Sequence, residues 1–85
     1  QVVPKIEDHD YIKLALELLP EAPWTIETWR DWTGLLKEKT ERRGKELFMP
    51  LRLALTGESH GPEMKDLLPL IGREKVEKRL LGITT

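Results

Sequence analysis

The chain has 85 residues, with 14 Lys+Arg against 15 Asp+Glu for a net charge of -1, and it contains no cysteine. That length allows one small domain, and the missing cysteines exclude a disulfide framework or a thiolate metal site. No apolar run approaches the roughly 18 residues a membrane span needs, and the balanced charge argues against avid, nonspecific phosphate binding. The sequence opens on Gln1-Val2-Val3-Pro4 without an initiator Met, which points to a piece cut from a longer protein. There is no basic-then-apolar leader pattern, and the expected setting is a reducing, cytoplasmic one.

Residues 1–9 show no sustained period and are expected to form a linker or extended arm, with a helical domain over 10–85. Ile12, Ala15, Leu16 and Leu19 recur at helical spacing, Asp8 or Asp10 is the candidate N-cap, and Pro20 ends the element. Pro20-Glu21-Ala22-Pro23 reads as a stiff turn. Thr25 is then expected to cap a second helix, whose stripe is Trp29, Trp32, Leu35 and Leu36. Trp24, just ahead of Thr25, suits a staple against the first turn. The second helix fades through Lys37–Arg43 and is expected to stop at Gly44.

Lys45 to Met49 forms a short element broken or restarted at Pro50, and Leu51, Leu53, Ala54 and Leu55 are expected to be mostly buried. Thr56-Gly57 ends that segment, and Glu58 to Gly61 is a loop. Pro62 is expected to open the next helix through Leu70. Gly72 interrupts, and Arg73 to Leu81 makes a last helix with Val76, Leu80 and Ile83 inward. No strand alternation is visible. The predicted fold is all-α, a bundle of about five short helices.

Little in this chain looks catalytic. His9 and His60 lack metal-ligand spacing, and no phosphate-cradling glycine loop or nucleophile–base pattern occurs. The carboxylates interleave with cations as on a solvated helix face. Trp29 and Trp32 could stack bases, but their spacing beside Leu35 and Leu36 reads as core. The basic run Lys37, Lys39, Arg42, Arg43, Lys45 fits equally a helix C-terminus or a phosphate-contacting patch.

Arg52 is the sharpest feature. A guanidinium inside an apolar run must reach outward, pair with a carboxylate or serve a partner. Its planar fork suits a base edge or a phosphate, and Gly61-Pro62 forms a rigid turn beside it. The residues alone rank a structural arginine ahead of an RNA-reading one.

The stretch "GKELFMPLRLALTGESHGPEMKDLLPLIGREKVEKRL", Gly44 to Leu80, resembles the C-terminal anticodon-binding region of bacterial glutamyl-tRNA synthetases. The resemblance rests on Pro50-Leu51-Arg52, Ala54-Leu55-Thr56-Gly57, Gly61-Pro62 and Ile71-Gly72-Arg73-Glu74, and upstream on "LLPEAPWTIETWRDWTGLLKE", Leu18 to Glu38. It implies a role in holding the anticodon loop of glutamate tRNA, with contacts at Arg52, Gly61, Pro62, Met64 and Lys65. At Gly61 and Lys65 the family often has other residues, so a threonine hydroxyl or aromatic face found in relatives is missing here.

The same resemblance implies a glutamate–tRNA ligase as parent, using ATP and magnesium on an N-terminal catalytic domain. The His-Ile-Gly-His-like and Lys-Met-Ser-Lys-Ser-like motifs of that domain do not occur here. The fragment itself is therefore expected to be non-catalytic, monomeric and free of cofactors. The alternative role is a helical interaction or scaffold domain that packs against neighbouring domains.

Overall fold

Buried apolar residues from all five helices meet at one centre. In a computed structural model that describes all 85 residues, five helices run α1 His9–Glu17, α2 Thr28–Thr40, α3 Lys45–Thr56, α4 Met64–Ile71 and α5 Arg73–Leu80, with no strand. α2 packs on α3 and α4, while α5 closes the bundle against α1, α3 and α4. Trp32, Ile12, Leu36, Leu51, Leu55, Leu68 and Val76 are fully buried between them. The Cα radius of gyration is 11.4 Å, against about 12 Å for a compact chain of this length, so neither end trails away from the core.

The ends are tied by backbone hydrogen bonds. The amides of Val2 and Thr85 each donate to the other's carbonyl, at 3.0 and 3.2 Å, and the Lys5 amide donates to the Leu53 carbonyl at 3.0 Å. This places the N-terminal stretch alongside the C-terminal half of α3.

Local chemistry explains each helix start. Asp8 caps α1, its carboxylate accepting from the Tyr11 amide at 3.1 Å. α2 begins at Thr28 and not directly after Thr25, yet Thr25 still organises the entry. Its hydroxyl accepts from the Glu27 amide at 3.1 Å, while its own amide donates to Thr28 Oγ1 at 2.8 Å. The two hydroxyls thus each satisfy one amide at the entry to the helix that would otherwise lack a partner. Trp24 is half-buried against the core, with Nε1 donating to the Pro20 carbonyl at 3.0 Å.

Three further features of the helices differ from the sequence expectation. α2 ends at Thr40, and the residue that reverses the chain is Glu41 at φ 60, while Gly44 instead starts α3. α3 runs unbroken through Pro50. A proline there removes the donor to the Glu46 carbonyl, and Arg42 Nη1 supplies a replacement at 3.3 Å. α4 opens at Met64, so Pro62 lies in the loop before it, and Pro69 sits inside the helix. Burial differs too: Leu35 is 43% and Ile83 48% exposed, because no neighbouring helix covers those positions. Leu53 is half-buried.

The charges at the α1–α3 junction are arranged around Tyr11. Arg42 Nη2 lies 2.5 Å from Asp8 Oδ2, and its guanidinium carbon is 4.0 Å from the Tyr11 ring centroid. The Arg42 hydrogen bond, with that from the Tyr11 amide, holds the Asp8 carboxyl below its usual range. Tyr11 Oη donates to the buried Leu47 carbonyl at 2.7 Å. Burial pushes the phenol up to about 12, partly offset by Arg42.

A raised phenol pKa favours the neutral form in the fold. Its contribution to stability is therefore complete below the ordinary value of 10.0 and is lost as pH rises from there toward about 12. Since Tyr11 is the chain's single tyrosine, an ultraviolet absorbance titration reports it directly. The expected curve is shifted upward in the folded chain and returns to the ordinary range in denaturant; coincident curves would overturn the assignment.

Candidate nucleic-acid interface

The loop from Glu58 to Glu63 is folded back onto α3 by small polar devices. Gly57 ends α3 at φ 74, its amide donating to the Leu53 carbonyl at 2.9 Å. Thr56 Oγ1 donates to the Arg52 carbonyl at 2.8 Å and accepts from the Glu58 amide at 3.1 Å. These bonds return the loop over the Arg52 side chain.

Arg52 meets it there. Nη2 donates to the Pro62 carbonyl at 2.9 Å. Nη1 is buried and has no hydrogen-bond partner. No carboxylate pairs with this guanidinium in any of the ion pairs of the chain. A covered N–H donor without a partner forgoes about 1–3 kcal/mol of hydrogen bonding, so Arg52 is an under-satisfied cation at the surface rather than a structural ion pair.

Beside it opens a groove of about 460 Å³. Trp29, Phe48, Met49 and Met64 give it aromatic and thioether surface; Arg52 and Glu63 give it charge; Gly61 and Pro62 give it backbone. Trp29 is held in place from below. It stands edge-on to the buried Trp32, centroids 5.9 Å apart at 74°, and tilted against Phe48 at 6.1 Å. Such aromatic contacts fix ring orientation and leave Trp29 half-buried, lining the same groove as the guanidinium.

Of the five residues that the sequence reading assigned to contacts, four line this groove: Arg52, Gly61, Pro62 and Met64. Met64 does so as a core residue, 4% exposed. Lys65 is exposed and lies outside the lining. Trp29 was expected in the core, and Phe48, Met49 and Glu63 were not expected at the site at all. Phe48 and Met49 precede Arg52 by four and three residues on one helix, a spacing that places all three on the same side.

Arg52, Gly61 and Pro62 also border a second cavity of about 270 Å³ whose other walls include Leu67, Ile71 and Arg79. Arg79 is buried, donating through Nη1 to the Leu55 carbonyl at 2.9 Å and through Nε to Thr85 Oγ1 at 2.6 Å. That burial, without a carboxylate partner, lowers its pKa. The basic run divides. Arg42 is taken by Asp8 and Tyr11, whereas Lys37 and Arg43 share a polar hollow with Glu38 and Glu41. No three His, Cys, Asp or Glu side chains come close enough to hold a metal, and no helix is long and apolar enough to cross a membrane.

Residues 4–83 match the family described as the anticodon binding domain. Glutamate–tRNA ligase 1 of Parvibaculum lavamentivorans is 55% identical over 83 residues, covering 98% of this chain and 18% of that protein. Glutamate–tRNA ligase 2 of Gluconacetobacter diazotrophicus is 52% identical over 81 residues, covering 93% and 18%. Glutamate–tRNA ligase 1 of Brucella ovis is 55% identical over 73 residues, covering 86% and 16%. The chain thus spans less than a fifth of the length of these curated relatives. No solved structure gives a significant match.

Proposed function

The chain belongs to the anticodon binding domain family, and from that premise we propose that the Arg52 groove holds the anticodon loop of a glutamate tRNA. The observation that supports this most is the guanidinium of Arg52, without a carboxylate partner, in one groove with the Trp29 and Phe48 rings. Single-stranded bases splay onto such surfaces, stacking on aromatic or planar cationic groups while their edges accept from fixed donors. The Pro62 carbonyl holds Nη2, which fixes the plane of the guanidinium on the groove wall before a base arrives.

In this reading the residues at work are Arg52, Gly61, Pro62 and Met64, with Trp29 and Phe48 added. Lys65, exposed beyond the groove, would serve a phosphate through a flexible amine. The net charge of -1 fits a module that reads bases and leaves most phosphate contacts to other domains. Those domains, in a cytoplasmic ligase acting as a monomer, would join glutamate to the tRNA 3′ end with ATP and magnesium. Leu70, 82% exposed, and the exposed Leu81 favour a second role for other faces, contact with the remainder of such a ligase.

Arg52→Ala is expected to weaken binding of a glutamate-tRNA anticodon stem-loop by about 1–3 kcal/mol, roughly 5- to 150-fold, with the fold retained. Arg52→Lys should recover little, because an ammonium lacks the planar fork. Fluorescence titration of labelled stem-loop checks this. An unchanged Kd for Arg52→Ala in a folded chain would remove Arg52 from the interface.

A further inference from the structure

Gly61 and Arg52 compete for one volume. A Cβ built on Gly61 would lie 3.1 Å from Arg52 Nη1, closer than ordinary van der Waals contact, and beyond its own chain neighbours no other heavy atom stands within 4 Å of it. The space a side chain would fill at position 61 is therefore occupied by the guanidinium. Nη1 is covered there without a hydrogen-bond partner, while Nη2 is tied to the neighbouring Pro62 carbonyl. The placement is not enforced by a partner acid. It is permitted by a missing side chain.

We propose that Gly61 is a positioning residue for Arg52. Lacking a side chain, it lets the guanidinium lie under the loop, where it forms the partition between the 460 Å³ groove and the 270 Å³ cavity behind it. The ligand class is the base of a single-stranded RNA in the groove, so the inference rests on the anticodon reading above. A methyl group at position 61 meets only the far end of a flexible side chain. The cheap response is rotation of Arg52 about its side-chain bonds, not unfolding. Rotation breaks the Nη2–Pro62 bond and moves the donors away from the groove wall. The reader is disarmed while the fold stays intact.

A double-mutant cycle separates this role from a merely structural one, because strain that Ala brings to the Gly61 backbone at φ 155 is common to both backgrounds. The dissociation constant of a glutamate-tRNA anticodon stem-loop is measured at low salt for the unmodified chain, Gly61→Ala, Arg52→Ala and the double variant, with thermal unfolding recorded for each. The expected result is a loss of about five- to tenfold for Gly61→Ala when Arg52 is present, and less than about twofold when Arg52 is already Ala. Equal losses in both backgrounds, or no loss in either, overturn the positioning role. If Arg52→Ala itself leaves affinity unchanged, the anticodon reading fails first. If Arg52→Ala weakens binding but the cycle is additive, only the role of Gly61 fails.

Discussion

Trp32→Ala is expected to cost about 3–5 kcal/mol of stability, as for other large aromatic truncations in a close-packed core. The indole is fully buried, and its Nε1 donates to the Ala15 carbonyl at 2.9 Å, so α2 is fastened to α1 by the same side chain that fills the centre. Truncation leaves a cavity and an unsatisfied buried carbonyl together. Domains of this size have only about 0.05–0.15 kcal/mol of stability per residue. The variant should therefore be largely unfolded in mild denaturant where the parent chain is still folded.

Trp32 also supports the site, since it sets the edge-on position of Trp29. Trp32→Phe should keep most of the packing, lose the bond to Ala15, and fall between the two. Urea unfolding followed by far-ultraviolet circular dichroism gives the comparison. A cost below about 1.5 kcal/mol for Trp32→Ala would mean that the indole is not at the centre of the core.

Helical periodicity found Trp32, Leu36, Leu51, Leu55, Val76 and Leu80 because a period of 3.6 residues names the side of a helix directly. It does not say whether a neighbour covers that side. Trp29 and Leu35 share the stripe with Trp32 and Leu36, yet the groove leaves Trp29 half open and Leu35 is uncovered. This is why Trp29 was read as core. Apolar surface at a binding groove carries the same pattern as apolar surface inside.

Arg52 was visible for the opposite reason, as a charge where the pattern called for none, and Gly61-Pro62 because turn residues have sharp backbone demands. Boundaries that depended on propensity moved. Glu41 takes the left-handed position that glycine normally prefers, and Arg42 lets Pro50 sit inside α3 by bonding the carbonyl that proline leaves free. Both are tertiary solutions invisible in a window of sequence. Lys65 lies apart from Met64 for a local reason. α4 begins at Met64, so its next residue is rotated about 100° around the axis, and Met64 is the one directed into the core.

Gly57→Ala is expected to be the costliest single-methyl change in the chain. The residue adopts φ 74, and a Cβ there would stand 2.7 Å from the backbone carbonyl oxygen of Val3. Two costs combine. The left-handed conformation is about 1–2 kcal/mol unfavourable for a residue with a Cβ, and the contact cannot be relieved by a rotamer because its partner is backbone. Relief requires the N-terminal stretch to lift, which endangers the Lys5–Leu53 bond and the paired Val2–Thr85 bonds. A combined loss of about 2–4 kcal/mol is expected. Amide hydrogen exchange should show lost protection at Val2, Lys5 and Thr85, whereas the Trp32 indole remains protected. In a chain trimmed of residues 1–3 the obstructing carbonyl is gone, and Gly57→Ala should cost only the conformational 1–2 kcal/mol or so. The same cost in the full and trimmed chains would mean that the N-terminal stretch does not rest on Gly57 in solution.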